Sequence, residues 1–195
     1  MSRRRLAAEW STKLGTLRIE EPSRATLLAA SPDLAVYYND PENAALLGNS
    51  VVFSASEVLQ FWADAAAEGG RPFLLWRDGV LVGDGDYRNV SGGAAELALL
   101  IGPRSAQGVG LGGHFVLMLL ALGFEALRLE EVYVAIRPTN VGSLRLFERT
   151  GFVRDDGPAA RFYAEEEDDV CLRLGKPEFG VRHAASLREI QTREP

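Results

Sequence analysis

The stretch Gln107-Gly108-Val109-Gly110-Leu111-Gly112-Gly113 lies between an apolar run of strand character, Ala94–Ile101, and a long apolar run of helix character, Leu111–Leu127. A strand, a glycine-rich turn and a helix start gather several backbone N–H groups around one point. The positive helix end is aimed there too, which suits phosphate or pyrophosphate without any side-chain charge. The turn therefore indicates a nucleotide-like ligand. Glu96 is the only carboxylate inside Ala94–Ile101. Burial against apolar strands would raise its pKa above the ordinary carboxylate range, toward a value useful to a general base. A glutamate at a strand entry can equally face solvent or hold an arginine, and both readings stand at this point. His114 and His183 are isolated and lack carboxylate–histidine spacing, so no metal site is expected. The acidic run Glu165–Asp169 reads as a solvated loop, or as an attractor for a basic amine or a basic N-terminus.

Gly108-Val109-Gly110-Leu111-Gly112-Gly113 also satisfies the dinucleotide pattern G-x-G-x-x-G, with Glu130 or Glu131 near the acidic distance. In a dinucleotide-binding domain, however, the glycines follow the first strand directly. Here Gly102–Ala106, with Pro103, intervenes, and two strand patterns joined by Asp78-Gly79 come earlier. Gly-Lys-Ser/Thr does not occur, so a P-loop is excluded.

The elements that must hold these residues follow from periodicity. Gly15–Glu20 alternates apolar and polar residues and reads as the first strand. Pro22-Ser23 opens a helical stretch that breaks at Asn39-Asp40-Pro41, and Ser54-Ala55-Ser56-Glu57 forms a capping box for a helix ending at Gly69-Gly70. Phe73–Arg77 and Val80–Asp86 flank Asp78-Gly79, a strong hairpin signal. Ala94–Ile101 and Val132–Arg137 read as central strands, with the Leu111–Leu127 helix between them. A short helix over Ser143–Arg149 ends at Gly151, and Phe152–Arg154 and Val170–Leu174 are the last two strands. From Pro177 onward the chain reads as a tail, with a short helix over Ala184–Gln191. This order predicts an α/β fold with a mixed, mostly antiparallel sheet and helices on both faces.

Three segments in order resemble the GNAT superfamily of acetyl-CoA-dependent N-acetyltransferases: Glu96–Pro103, Gln107–Gly112, and Asn140-x-x-Ser143-x-x-Leu146-Phe147-x-x-x-Gly151-Phe152. The glycine segment fits the superfamily's Arg/Gln-x-x-Gly-x-Gly/Ala pattern. The Asn-x-x-Ser helix and the ending Asp169-Val170 … Pro177-Glu178-Phe179 look more like the Rim-type branch of ribosomal-protein N-terminal acetyltransferases. The resemblance implies one domain over 1–179, a tail over 180–195, and acetyl-CoA as co-substrate. It implies that backbone amides of Gln107, Gly108, Val109, Gly110, Leu111 and Gly112 grip the pyrophosphate. Backbone groups of Leu99, Leu100 and Ile101 would meet the pantetheine arm and thioester, with Asn140 on the same arm. Glu96 would be the base and Ser143 a hydrogen-bond donor to the departing sulfur. Phe147 stands where many members carry a tyrosine acid; it can pack beside the cofactor but has no proton to give. A thiolate leaving at pKa about 8.5 tolerates a weak donor.

Composition bounds the alternatives. With 195 residues, 47% of them hydrophobic and 25% charged, the chain is an ordinary globular one. A net charge of −6 without a basic stripe disfavours nucleic acid, and the Leu111–Leu127 run, interrupted by His114, Gly123 and Glu125, disfavours a membrane span. Met1–Arg5 is basic but no apolar segment of a signal peptide follows, and Cys171, the only cysteine, reads as a buried strand thiol; a reducing cytoplasm is the default. The expectation is acetyl transfer to a primary amine, either a protein N-terminus or a small molecule such as a polyamine, amino acid or aminoglycoside, with a homodimer allowed. The rival is a catalytically silent acyl-CoA-binding module on the same fold.

Overall fold

The computed structural model describes residues 4–48 and 50–193; Met1–Arg3 of the basic start lie outside them. Strands β1 (Ala7–Thr12) and β2 (Gly15–Glu20) form an antiparallel hairpin. Helix α1 (Arg24–Asn39) starts at Ser23, whose hydroxyl accepts from the Thr26 N–H. Asp40 ends α1 and caps α2 (Pro41–Leu47) through the N–H groups of Glu42 and Asn43. The capping box at Ser54 and Glu57 forms and opens α3 (Ala55–Ala67).

The hairpin of β3 (Arg71–Arg77) and β4 (Val80–Ser91) turns at Asp78 and Gly79, which both hold positive φ (50° and 78°), as a two-residue hairpin requires. Then come β5 (Ala94–Ile101), α4 (Leu111–Ala121) with a π-type turn over Leu122–Ala126, and β6 (Glu131–Ile136). The chain continues as α5 (Val141–Thr150), β7 (Val153–Arg154), α6 (Pro158–Arg161) and β8 (Val170–Gly175). It ends in α7 (Lys176–Arg182), α8 (Ala184–Glu189) and β9 (Gln191–Arg193).

Among the described residues all the strands join one sheet in the order β7-β8-β6-β5-β4-β3-β2-β1-β9, antiparallel throughout except between β5 and β6. One core fills the α4 side of the sheet, with Phe115, Leu119, Tyr87, Leu97 and Val132 fully or almost fully buried. A second lies beneath α1 and α3, where Leu34, Tyr38, Val58 and Trp62 meet Leu74 and Leu100. Burial of α4 on nearly every side explains its unbroken apolar sequence, and no helix among the described residues is long and apolar enough to cross a membrane.

The mixed sheet and its flanking helices agree with the sequence-based expectation. Two strands had no visible pattern. Ala7 and Ala8 of β1 are both buried, so alternation is lost, and alanine carries little strand preference. The segment read as a tail supplies α8 and β9, whose three polar residues are all exposed. The main chain of β9 pairs with β1, Trp10 Nε1 donates to Glu189 (3.0 Å), and Arg193 meets Glu9 at 2.5 Å.

Candidate active site

The site begins where β5 and β6 stop pairing. Their parallel register covers only Ala94–Glu96 against Glu131–Tyr133; beyond it the strands part. Residues 97–100 on one side and 134–137 on the other line a cavity of about 460 Å³ that opens beneath α1 and α3. A second cavity of about 820 Å³ carries the glycine turn and the start of α5. Leu99, Leu100, Asn140 and Ser143 line both, so the two spaces meet at the splayed edge of β5.

On the second cavity, Gly108 (φ 73°) and Gly110 (φ 95°) adopt backbone conformations that side-chain-bearing residues resist. A Cβ on Gly108 would meet nothing within 4 Å, so the turn faces open space. Gly110 caps α4 without any side-chain bond, leaving first-turn N–H groups for a ligand at the positive end of an 11-residue helix. Gly112 serves packing as well: a Cβ there would stand 3.2 Å from Leu146. Gln107, Gly108, Gly110 and Gly112 line this cavity. Val109 is exposed and Leu111 is buried in the core, so neither side chain is brought to it.

Gln107 holds the turn through its side chain. Its Nε2 donates to the Ile101 carbonyl (2.8 Å) and to Asn43 Oδ1 (2.9 Å), while Asn43 Nδ2 donates to Gly102 O (2.9 Å). The Ile101 carbonyl is thereby occupied, and fully buried Asn43 pins α2 to the end of β5. Nothing around Asn43 in the sequence marks this role. Asn140 Oδ1 accepts from the Ser143 N–H (3.1 Å), which makes it the cap of α5. The Ser143 hydroxyl makes no hydrogen bond among the described residues and lies at the junction of the cavities. Phe147, one turn on, is 3% exposed, packs edge-on against Phe152 (5.1 Å) and lines the first cavity.

Glu96 faces the first cavity and is 7% exposed, with Arg88 beside it on β4 and Tyr133 on β6. Burial pushes its carboxyl up to about 7; Arg88 opposes that shift, and Asp86 and Glu165 add to it. Arg88 makes its short bond to Asp86 (2.7 Å) and lies 3.8 Å from Glu165. The solvent-facing alternative for Glu96 is therefore not what the fold produces. Strand pairing places Asp84, Asp86, Ala98 and Leu100 on the same face as Glu96. Asp84 is raised to about 7 by burial, opposed by the Tyr38 hydroxyl that donates to its Oδ2 (2.7 Å); Trp62 Nε1 donates in turn to Tyr38 (3.2 Å). Sequence reasoning passed over Asp84 and Asp86, although Gly83-Asp84-Gly85-Asp86 shows two carboxylates at strand spacing.

The acidic run divides. Glu165 and Asp169 line the cavity, while Glu166, Glu167 and Asp168 are exposed. Asp169 is 4% exposed, and its Oδ2 accepts from the N–H groups of Glu165 and Glu166, both at 3.0 Å. Cys171 is buried in β8 beside Tyr133 and Tyr163. His114 packs on Trp10, and His183 bonds the Thr150 carbonyl.

A family model described as an acetyltransferase (GNAT) domain matches residues 23–153. No curated protein sequence matches the chain. Among solved structures, RimJ from Mycobacterium smegmatis in complex with CoA-disulfide superposes with a TM-score of 0.73 at 14% identity, over 95% of this chain and 96% of that one. Spermidine N-acetyltransferase from Vibrio cholerae, in complex with CoA and spermine, gives 0.66 at 18% identity over 84% and 97%. The aminoglycoside acetyltransferase AAC(6')-Ib with coenzyme A and kanamycin gives 0.67 at 15% over 84% and 96%. At these identities the likeness is one of fold.

Proposed function

The chain belongs to the GNAT acetyltransferase family, and on that premise we propose that it moves an acetyl group from acetyl-CoA to a primary amine. The observation that carries the reading is the meeting of two cavities at the splayed edge of β5, one with the glycine turn and the other with buried Glu96. The fit to a CoA pyrophosphate rests on open space in front of Gly108 and on uncapped N–H groups at the start of α4.

In this reading the amides of Gln107–Gly112 hold the pyrophosphate. The edge of β5 at Leu99 and Leu100, together with Asn140, positions the arm so that the thioester lies at the junction. Glu96, directly or through one water, takes the proton of the acceptor ammonium, and a pKa near 7 matches that task at neutral pH. The amine nitrogen forms its bond to the thioester carbonyl carbon, the carbon–sulfur bond then breaks, and the second proton lost by nitrogen passes to the departing thiolate, giving the amide and free CoA thiol. Ser143 donates a hydrogen bond to the departing sulfur, while Phe147 seals the wall without supplying a proton. The test is release of free CoA from acetyl-CoA in the presence and absence of a panel of primary amines, with product mass measured. Amine-dependent release with an acetylated product supports the reading. Tight acetyl-CoA binding with no transfer to any amine overturns it in favour of a silent acyl-CoA-binding module.

A further inference from the structure

The first cavity is lined by five carboxylates, Asp84, Asp86, Glu96, Glu165 and Asp169, against two guanidinium groups, Arg88 and Arg137. Arg88 is engaged by Asp86 and Glu165, and Arg137 lies against Gly48. Two oxygens are left over. Asp84 Oδ1 and Asp169 Oδ1 are shielded from solvent and have no hydrogen-bond partner among the described residues, although both residues line the cavity. A buried carboxylate oxygen without a donor is costly, and such orphans mark a missing partner. Asp84 as a residue is only half-buried and lines the cavity, which is the side from which a partner would reach its carboxyl group. Its roof carries aromatic rings, Tyr38, Phe53, Phe61 and Trp62, whose faces attract cations.

Geometry then limits the occupant. Asp84 pairs with Leu100, and Glu96 lies four residues back on the same strand and face. That separates the two positions by about 13 Å of strand rise, with Asp86 between them. One ammonium group cannot reach both ends. An extended aliphatic chain with an amine at each end can.

We propose that the acceptor is an aliphatic polyamine, anchored by a second cationic nitrogen on Asp84 while the reacting amine lies toward Glu96. This rests on the acetyl-transfer reading above and adds the substrate class to it. A peptide N-terminus carries its next nitrogen as an uncharged amide and leaves Asp84 unpaired.

The test compares kcat/KM for an aliphatic triamine, n-butylamine and a neutral alanine-led peptide, in the wild type and in Asp84→Asn. The asparagine keeps an acceptor for Tyr38 and removes the charge. The wild type is expected to prefer the triamine over butylamine by roughly 10- to 100-fold, the range of one charge-assisted hydrogen bond, and Asp84→Asn to bring that ratio near one, mainly through KM. A merely structural role for Asp84 lowers both rates together and keeps the ratio. Calorimetric titration of the triamine into protein saturated with CoA gives a readout that needs no catalysis. Weaker triamine binding to Asp84→Asn supports the anchor even if no acetyl transfer is found, in which case the acetyl-transfer reading alone fails. Transfer that proceeds equally well on butylamine or the peptide in the wild type overturns the anchor and leaves acetyl transfer standing. Should Asp84→Asn not fold, the wild-type ratio and the wild-type titration decide.

Discussion

If Glu96 takes the proton of the acceptor, exchanging it for glutamine preserves size and removes the base, and the cost should be legible in the pH profile. Burial raises the Glu96 carboxyl to about 7 against the opposing charge of Arg88, with Asp86 and Glu165 reinforcing the shift. A carboxylate of that pKa is about 10% ionised at pH 6 and about 90% at pH 8, whereas one left at its ordinary value is ionised throughout this range. The acceptor amine contributes its own slope, because its free-base fraction rises about tenfold per pH unit below pKa 10. Dividing the wild-type rate by that of Glu96→Gln at each pH cancels this slope. The quotient should be roughly 10² to 10⁴ near pH 8, fall about tenfold on going to pH 6, and level off above pH 8. Asp84 titrates in the same range, so the series is repeated with Asp84→Asn, where the break must persist if Glu96 causes it. The assay is CoA release at saturating acetyl-CoA, with acetyl-CoA affinity measured separately and expected to change little. A flat quotient, or near-normal turnover by Glu96→Gln, refutes the argument and returns Glu96 to a structural partner of Arg88.

Three further outcomes follow from the same geometry. Gly110→Asp adds bulk at a left-handed position and a negative charge at the start of α4, so calorimetry should show CoA binding weakened by at least about 100-fold in a protein with unchanged circular dichroism. Ser143→Ala should slow the chemical step about 10- to 100-fold in single-turnover measurements. Its melting temperature should hold, because the cap from Asn140 uses the Ser143 backbone and the hydroxyl makes no hydrogen bond among the described residues; a wild-type chemical rate would remove Ser143 from the mechanism. Asp84 has a folded pKa of about 7, above its unfolded value, so the folded state binds the extra proton. Its contribution to stability is full below about pH 4 and is lost as pH rises through 7, under the influence of Tyr38, Asp86 and Arg88. In denaturant titrations without acceptor, Asp84→Asn should therefore gain on the order of 2–4 kcal/mol relative to wild type between pH 4 and pH 8; a pH-independent difference would count against an uncompensated Asp84.

What the linear chain determined is local. The capping box at Ser54 and Glu57, the Asp78-Gly79 turn, the Gly110 start of α4 and the Gly151 end of α5 depend on backbone conformations and caps that a few neighbouring residues dictate. The expected strands at Gly15–Glu20, Ala94–Ile101 and Val170–Leu174 follow in the same way from apolar patterning against one core. Strands β1 and β9 were not legible, because their pairing relies on main-chain hydrogen bonds that any side chain permits. Tertiary structure alone decided the cavity. The parting of β5 from β6 after Glu96, and the register that puts Asp84 opposite Leu100, set carboxylates from distant segments on one enclosed face. Enclosure makes their charges consequential. Glu96 and Asp84 are ordinary acids in the sequence, and they titrate near 7 because the folded chain removes water from around them.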